Sequence, residues 1–310
     1  MKVCIIGSYA KALVMTADRI PIVGETLIGR DYRETFGGKG SDMAVQAARL
    51  GVDVSYIGVV GKDFYGQEFI TLMEKEKIDI SALRITDKDA TGIGFIIKDV
   101  NAKNLIVVAP GANNLFEKND IDNGINLIND SDVILTQLEI PIETALYALE
   151  KGKERNKTTI LNPAPAIKLI DYDLSFIDIL TPNETEARIA AGISLDSFLS
   201  NKEVADILLK TGCKTVVMTL GDKGSEVFTK EGSYSVEAYK IEVVDSNGAG
   251  DCFNASLAAS LAKGKTIEEG VNYANAVSAL CCTKWETIPS YHTVDEVEQF
   301  INFYKKESDV

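Results

Sequence analysis

Seven residues, "DSNGAGD" from Asp245 to Asp251, place three small residues immediately before a carboxylate. They follow a run of strand-like residues, Tyr239 to Val244, and open a segment rich in Ala, Ser and Leu that predicts a helix. Gly248 and Gly250 allow backbone geometry that side chains forbid and let a ligand approach the main chain. The amides of residues 248 to 250 would then point outward at the positive end of the helix, which favours binding of a phosphoryl group.

Asp251 would lie beside that bound anion. A carboxylate repels phosphate, so its presence makes chemical sense if it takes a proton from an attacking hydroxyl group. A helix N-cap aspartate after a glycine-rich turn explains the same letters. This stretch alone therefore leaves two equal alternatives, a phosphoryl-transfer site with a general base and a simple helix cap.

A second loop, "FGGKGSDMAVQAARLG" from Phe36 to Gly51, leads from a double-glycine turn into a predicted helix. The helix has a face of small residues that can pack closely on a sheet. Taken singly this is a weak signal, because Gly-Gly turns before helices are common. Neither loop is a Walker A sequence, and no G-x-G-x-x-G follows the first strand-like run.

The elements that must position these loops alternate between apolar strand-like runs and amphipathic helix-like stretches. The runs are KVCIIG, VSYIGVVG, DVILTQLE, TTILNPAP, IDILTPNE and TVVMTLG, each followed by helix-forming sequence. The alternation predicts an α/β fold with a doubly wound, mostly parallel sheet and helices on both faces. Ligands bind off the carboxyl ends of such strands, so we expect TQLE, NPAP, TPNETE and TLG along one crevice.

Two stretches, about 13–35 and 91–113, depart from this alternation. The second has two strand-like segments flanking the hairpin signal "DVNAKN". Both are interpreted as parts of a small antiparallel sheet that forms a lid over the crevice. No repeat or linker marks a boundary, so one domain is expected over 1–310. The last stretch, "TVDEVEQFINFYKK", opens with a capping box from Thr293 to Glu296 and predicts a packing helix.

Composition narrows the classes of partner. The 310 residues are 45% hydrophobic, enough for a large core, and carry a net charge of −14 from 46 acidic and 32 basic residues. This charge disfavours nucleic acid and anionic membranes and leaves a small molecule as the expected partner. The N-terminus fits neither a signal peptide nor a membrane span, so a cytoplasmic location is expected. Five cysteines without C-x-x-C spacing predict reduced, buried thiols, and a single histidine, His292, excludes a histidine-rich metal site.

Together the two loops resemble the signatures of the ribokinase-like family of carbohydrate and nucleoside kinases, and the chain is closest to the ribokinases within it. Supporting motifs occur in family order along almost the whole chain: GET, FGGKG, GKDFYG, TQLEIP, LNPAPA, TPNETEA, TLGDKG, DSNGAGD and IPS. The resemblance implies a doubly wound domain with a β-sheet lid, often used for dimerisation. It also implies transfer of the γ-phosphoryl group of ATP to a sugar hydroxyl, so the expected partners are a sugar, ATP and a second copy of the chain.

The resemblance assigns roles by position. Asp251 looks like the catalytic base, and the amides of Gly248, Ala249 and Gly250 look like an anion hole. On the sugar side, the substrate-binding positions are Gly38, Lys39, Asp42 and Glu139. From the residues alone, Lys39 reads equally as a surface lysine and Glu139 as a solvated residue at a strand end.

Other positions match the nucleotide and metal sites of the family. Thr219 and Gly221 would border ATP, with Asn275 near adenine. Asn183 and Glu186 of "NETE" would organise Mg²⁺ and the phosphates, although an Asn cap before an acidic first turn gives the same letters. A K⁺ site is implied at Asp245 and Ser246, close to Glu286, where ribokinases usually have Gly.

The chain departs from the family at the sugar. The first loop, usually G-S-x-N-x-D, reads "GSYAKA", so Ala10 and Ala12 replace both polar residues, and Asp42 stands where Asn is usual. Losing a carboxylate that accepts hydrogen bonds from a diol should cost about 1.5 to 3 kcal/mol per bond. We therefore expect an acceptor without the hydroxyl pattern of ribose, contacted by Asp42 and Lys11. A nucleoside kinase and a catalytically silent sugar-binding regulatory protein remain as alternatives.

Overall fold

Apolar runs and amphipathic stretches build the elements of the computed structural model, which describes residues 1–99 and 104–308. Within these residues the strands are β1 (Lys2–Ile6), β2 (Ala10–Thr16), β3 (Arg30–Gly37), β4 (Asp53–Ile57), β5 (Val59–Gly61), β6 (Arg84–Thr86), β7 (Gly92–Lys98), β8 (Asn104–Ala109), β9 (Val133–Thr136), β10 (Thr158–Leu161), β11 (Ile179–Leu180), β12 (Thr215–Thr219), β13 (Ser225–Thr229) and β14 (Ser233–Val236). The helices are α1 (Lys39–Arg49), α2 (Phe64–Lys75), α3 (Lys118–Asn123), α4 (Ile125–Asn129), α5 (Ile142–Glu154), α6 (Glu184–Ala190), α7 (Asn201–Leu209), α8 (Ala249–Ala262), α9 (Ile267–Cys281) and α10 (Val294–Ser308).

The large sheet has the strand order β14-β13-β12-β11-β10-β9-β1-β4 over the described residues. The six neighbouring strands β4, β1, β9, β10, β11 and β12 run parallel to one another. Strand β13 pairs antiparallel with β12, and β14 pairs antiparallel with β13. Successive residues of β1 alternate between the two faces: Val3 and Ile5 enter one core, Cys4 and Ile6 the other. Both faces are buried, as a parallel sheet requires. The predicted doubly wound sheet covered by helices is confirmed.

Helices cover the two faces as separate layers. One face packs against α1, α2, α8, α9 and α10, and the other against α3 to α7. Helix α8, "AGDCFNASLAASLA", is apolar or small around its whole circumference and lies between α1, α9 and the sheet. A helix of this composition is stable only when it is enclosed. Its first residues are therefore fixed by the core.

The lid is a second sheet with the order β3-β2-β7-β8 in the described part of the chain. It begins at Ala10, before the predicted segment at 13, and is mixed, because β2 and β7 pair in parallel. The expectation of an antiparallel sheet was therefore wrong for this pair, because β7 returns to the lid only after the chain has passed through α1, β4 and α2. Residues 100–103 of the hairpin signal lie outside the described residues.

Several element predictions need correction. Strand β1 leads into the lid, β10 into an irregular segment, and β12 into antiparallel β13, so these runs are not followed by helices. Residues Tyr239 to Val244 form no strand, although their types favour one. Strand propensity describes how well a residue fits a pleated neighbour, and here the chain crosses from β14 to α8 without pairing along a strand. The amide of Val244 instead donates to the carbonyl of Cys282 at 2.8 Å.

Smaller predictions can be checked directly. All five thiols are free and all but that of Cys282 are buried. His292 lies in the loop before α10 and is buried, and burial lowers the pKa of its imidazole. Of the capping box predicted before α10, the structure shows the contacts from Thr293, whose amide and hydroxyl donate to Glu296 at 2.8 and 3.0 Å. No helix among the described residues has the length and apolar character needed to span a membrane.

Candidate active site

The crevice lies where the parallel strands of the large sheet end. Ser8 and Glu139 follow β1 and β9, while Asn183 and Gly221 follow β11 and β12. These four strands belong to the five neighbouring parallel strands β12-β11-β10-β9-β1, so their carboxyl ends share one edge. The predicted set of loops is thus brought together at this edge, with the N-terminus of α8 beside it.

The turn before α8 depends on one of its glycines. Gly248 is the N-cap of α8 and has φ +79°, and a Cβ there would lie 2.8 Å from the hydroxyl oxygen of Tyr291. Gly250 differs from the expectation, because it lies in the first helical turn with ordinary geometry. A Cβ at Gly250 would meet no described atom within 4 Å. The missing side chain therefore leaves open space.

Two cavities meet at this turn. The "lid cavity", about 210 Å³, is lined by Lys39, Asp42, Asn247, Gly248 and Asp251 together with residues of the lid. The "edge cavity", about 470 Å³, is lined by Thr219, Gly221, Ser246, Ala249, Gly250 and Asn275. Residues of the same turn thus face opposite sides: Asn247, Gly248 and Asp251 the lid cavity, Ser246, Ala249 and Gly250 the edge cavity. Two ligands in these cavities would be separated only by the first turn of α8.

Asp251 faces the lid cavity from the start of α8. The side chain is buried, and its Oδ1 accepts no hydrogen bond from the described residues. The nearest cation is the Nζ of Lys39, 3.8 Å from this oxygen. Burial raises the pKa of Asp251 to about 6, the charge of Lys39 opposes the shift, and Glu139 and Glu186 add to it. The carboxylate can accept a proton near neutral pH.

Lys39 and Glu139 are tied to the N-terminus of α1. The Oε2 atom of Glu139 accepts hydrogen bonds from the Ser8 hydroxyl at 2.6 Å and from the Lys39 amide at 2.9 Å. The charge of Asp251 raises the pKa of Lys39, which stays a cation. Gly38 has φ +93°, and a Cβ there would approach the amide nitrogen of Ala10 to 2.8 Å. The double glycine therefore lets α1 start against the first lid strand.

Asp42 lies in the same cavity and is also buried. Its Oδ1 accepts no hydrogen bond from the described part of the chain. Burial raises the pKa of Asp42 well above its usual value, and the charges of Asp251 and Glu139 raise it further. A buried acceptor without a partner costs about 1 to 3 kcal/mol. Donor groups of a ligand between Asp42 and Asp251 would remove this cost.

The roof of the lid cavity is apolar. Ala10 and Ala12 lie there beside Val14, Ile96 and Val108. Lys11 also lines the cavity, but its ammonium group is already held by Glu68 at 2.8 Å and Glu34 at 3.5 Å, 5.1 Å from the centroid of the Phe36 ring. The cavity thus has a charged floor and a roof with few polar groups.

The edge cavity is lined by Thr219, Gly221 and Asn275, the positions assigned to the nucleotide, and also by Ser246, which was assigned to the K⁺ site. Asn275 uses its side chain within the protein: Oδ1 accepts from the Ser225 hydroxyl at 2.8 Å, and Nδ2 donates to the carbonyls of Val236 and Glu237 at 3.3 Å. Sequence reasoning missed four other wall residues, Tyr239, Lys240, Ile241 and Val243, because that segment was interpreted as a strand.

Asn183 and Glu186 form a reciprocal cap of α6. Each side chain accepts the amide of the other residue at 2.8 Å. They line neither cavity, but burial raises the pKa of Glu186, and this residue contributes to the shift of Asp251. The side-chain oxygens of Asn183 and Glu186 are of the type that binds Mg²⁺, which usually keeps several of its waters. Among the described residues no group of three or more His, Cys, Asp or Glu could hold a metal by itself.

Asp245 and Ser246 do not fit the implied K⁺ site. Asp245 Oδ1 accepts the amide of Asn247 at 3.1 Å, and Oδ2 accepts the Lys98 ammonium group and the Glu286 amide, each at 3.2 Å. Both carboxylate oxygens are therefore engaged, with a cation already beside one of them. Ser246 faces the edge cavity instead.

Several residues of the lid cavity were also not assigned from the sequence, among them Asn113, Thr287 and Lys98. Asn113, which follows β8, lines the lid cavity. Its side chain accepts a hydrogen bond from the amide of Tyr9 and donates one to the Tyr9 carbonyl, so it is linked to the residue before β2. Thr287 follows Glu286 in the wall of the cavity. Lys98 could not be found from spacing, because its partner Asp245 is 147 positions away.

Comparisons with known proteins agree with this geometry. Residues 1–294 match the model of the pfkB family of carbohydrate kinases. The chain is 35% identical to the ribokinase of Staphylococcus aureus over 300 residues (96% of this chain, 99% of the relative) and 29% identical to the deoxyribokinase of Salmonella typhi over 303 residues (97% and 99%).

Solved structures give the same result. The crystal structure of ribokinase from Thermotoga maritima has a TM-score of 0.88 at 31% identity, covering 97% of this chain and 99% of the other. The structure of Arabidopsis thaliana ribokinase complexed with ribose and ATP has a TM-score of 0.85 at 25% identity, covering 96% and 97%. Family match, fold and site geometry lead to one conclusion: the chain belongs to the pfkB family of carbohydrate kinases, phosphotransferases whose acceptor is a hydroxyl group.

Proposed function

We propose that the protein transfers the γ-phosphoryl group of ATP to a hydroxyl group of a small, partly deoxygenated sugar, with Asp251 as the general base. One observation carries the proposal. The first turn of α8 separates two cavities, and Asp251 presents to one of them a buried Oδ1 that accepts no hydrogen bond from the described residues. A phosphoryl group at this turn could be approached from the other side by an acceptor.

ATP is assigned to the edge cavity, the larger of the two. The amides of Gly248, Ala249 and Gly250 lie at the positive end of α8; those of Gly248 and Gly250 suit the terminal phosphate, while that of Ala249 donates to the carbonyl of Ser246 at 3.2 Å and would have to turn to the phosphate. Thr219 and Gly221 would border the nucleotide, and Asn275 would support the wall through its internal hydrogen bonds. The ATP complex of the Arabidopsis ribokinase, a structural neighbour over nearly the whole chain, supports this donor.

The acceptor hydroxyl is assigned to the lid cavity, next to Asp251. Asp251 would take the hydroxyl proton as the oxygen bonds to the γ-phosphorus and the bond from phosphorus to the β-γ bridging oxygen breaks, leaving ADP. Lys39, 3.8 Å from Asp251, keeps this carboxylate ionised between turnovers. Mg²⁺ bound with the nucleotide would neutralise phosphate charge, with Asn183 and Glu186 ordering its waters.

The cavity itself suggests the acceptor class. Asp42 would bind hydroxyl groups at the charged floor, while Ala10 and Ala12 offer no hydrogen bond from their side chains at the roof. A hydroxyl buried against such a roof loses its water without a replacement partner. A C–H group suits this roof better, so a deoxypentose is the leading acceptor, in agreement with the deoxyribokinase among the relatives.

The function is tested by ADP formation with pentoses, hexoses, deoxysugars and nucleosides. Asp251→Asn should retain nucleotide binding and lower kcat at least about a hundredfold, because it removes the base. Asp196→Asn, in an exposed loop, is the matched control and should keep kcat. A near-normal kcat in Asp251→Asn would remove the base assignment. Nucleotide and sugar binding without ADP formation in wild type would favour the silent regulatory protein.

Acceptor preference is tested by restoring the family residues. The double substitution Ala10→Asn, Ala12→Asp should raise kcat/KM for ribose relative to deoxyribose by about tenfold or more, the equivalent of one charged hydrogen bond. Ala17→Ser, at another buried alanine outside the lid cavity, should leave the ratio unchanged. Efficient turnover of ribose at micromolar KM by wild type would contradict the proposed class.

The lid is also proposed as a dimerisation surface. On its outer face Phe95, Leu105 and Val107 are 56%, 44% and 59% exposed. Phe95 and Val107 are paired across β7 and β8, so these side chains form one apolar patch. A contiguous exposed apolar patch on an edge strand favours association with a second copy.

A further inference from the structure

Lys98 holds a cation at the base of the turn that precedes α8. It ends the lid strand β7, and its Nζ lies 3.2 Å from Asp245 Oδ2 and 5.6 Å from the centroid of the Trp285 ring. The Lys98 side chain is only 12% exposed. An ammonium group enclosed between a carboxylate and an aromatic face is well fixed.

Asp245 connects Lys98 to the turn that begins α8, residues 246–250, which is the anion-binding turn of the proposed function. Its carboxylate accepts the amide of Asn247 at 3.1 Å and the amide of Glu286 at 3.2 Å. Burial opposes ionisation, but these amides and the charge of Lys98 lower the pKa of Asp245 below its usual value. The carboxylate is therefore a constant negative charge that joins two segments around Gly248. A cation at this carboxylate is needed to offset its burial.

The neighbouring acid, Glu286, has another partner. Its φ is +72°, in the left-handed region that favours glycine, and its side chain is directed to Arg33 of β3, with Nε 2.9 Å from Oε1. Glu286 is thus balanced by a lid arginine, and Lys98 alone supplies positive charge to Asp245 among the ion pairs of the described residues.

We propose that the Lys98 ammonium group is a built-in cation that positions the anion-binding turn, so that phosphoryl transfer does not require a dissolved monovalent cation. The inference rests on the proposed function of this turn. Lys98 acts through Asp245 and is a positioning residue. Because it belongs to the lid, the correct turn geometry also depends on the lid strand being in place.

The kinetic test compares K⁺ with choline at constant ionic strength. Wild type should have the same kcat in both. Lys98→Met should lose roughly ten- to a hundredfold in kcat in choline and recover part of it in K⁺, while Lys98→Arg, which keeps the charge, should stay independent of K⁺. Arg33→Gln removes the ion pair between the lid and Glu286 and should also show no K⁺ response. Several-fold activation of wild type by K⁺, or an unchanged kcat of Lys98→Met in choline, would overturn the proposal.

A second readout does not need turnover. Trp285 is the single tryptophan of the chain, and Lys98 lies over its ring. Addition of K⁺ should leave the Trp285 emission of wild type unchanged and shift that of Lys98→Met saturably. A folded Lys98→Met whose emission ignores K⁺ would overturn the proposal, and Lys98→Gln replaces it if the methionine variant does not fold. If wild type phosphorylates no acceptor, the proposed function fails, whereas this measurement still decides the role of Lys98.

Discussion

Asp42, Asp251 and Lys39 lie together in the lid cavity, and their charges set the ionisation state of Asp251. Asp42 and Asp251 are both buried, and each raises the cost of ionising the other. Lys39 is the cation that opposes this at Asp251, and Glu139 fixes the Lys39 backbone through its amide. An uncharged Asp251 could not accept a proton. The ionisation state of one residue should therefore control the rate.

The pH profile of kcat/KM should show this control. With the pKa of Asp251 at about 6, activity should be full above this value and fall as the pH decreases through it, because the base must be unprotonated. In Lys39→Met the loss of the positive charge should move this acidic limb to higher pH. Lys39→Arg keeps the charge and should leave the limb in place. The assignment is contradicted if the limb of Lys39→Met coincides with that of wild type.

Single residues were partly predictable. The small residues before Asp251 indicated an anion site, because close approach to a main chain requires small side chains. The pattern could not show that the two glycines have different roles. Gly248 is needed for its left-handed backbone conformation, whereas Gly250 leaves open space where a side chain would stand. Nor could it show that Glu139 holds the start of α1, since that contact joins Lys39 to a residue 100 positions away.

At the scale of elements, the N-terminus of α8 is held in one position because the rest of the helix is enclosed by the core. Its position relative to α1 is fixed by close packing of small residues, so the turn before Ala249 has little freedom. The amides are thereby oriented before a ligand arrives, which is the condition for strong electrostatic stabilisation of a transferring phosphoryl group.

Gly250→Ala and Gly248→Ala should distinguish a glycine that leaves room for ATP from a glycine that the backbone conformation requires. Gly250→Ala should keep or slightly raise Tm, because its Cβ meets no described atom within 4 Å and alanine favours a helix. It should weaken ATP binding by roughly tenfold or more, since the methyl group enters the assigned phosphate space. Gly248→Ala should lower stability by about 1 to 2 kcal/mol, from the left-handed backbone, with further loss from its contact with Tyr291.

Calorimetric Tm and titration with an ATP analogue would measure both effects. Gly264→Ala, at another left-handed glycine where a Cβ meets nothing in the described chain within 4 Å, is the control for backbone strain alone. Wild-type nucleotide affinity in Gly250→Ala would show that the phosphate does not lie at this turn.

The order of elements was predictable where residues are buried on both sides. Runs such as VILT of β9 identify parallel strands because both faces of the sheet are buried and carry mostly apolar side chains. The sequence did not reveal that β13 returns antiparallel to β12, because a short strand such as SEVFT and a turn of amphipathic helix can share the same apolar content. The prediction of a strand at Tyr239 to Val244 failed for a related reason, because aromatic and β-branched residues of this segment line a cavity.

At the scale of the whole molecule, the lid joins distant parts of the chain at one site. It supplies the roof of the lid cavity, and through Lys98 and Arg33 it reaches Asp245 and Glu286 beside the anion-binding turn. Long-range ion pairs of this kind have no signal in a single sequence. The family resemblance predicted a lid, but only the folded chain shows which of its residues reach the turn.

The outer face of the lid leads to the last prediction. Leu105 and Val107 lie on the edge strand β8 and leave apolar area in water, which association of two lids would bury. Val107→Glu would place a charge in that contact and should convert a dimer to monomers, measured by light scattering after size exclusion. Leu195→Glu, at a leucine 57% exposed outside the lid, should leave the dimer intact. A wild-type chain that is monomeric at micromolar concentration would contradict the proposed dimer, and a Val107→Glu dimer would place the interface elsewhere.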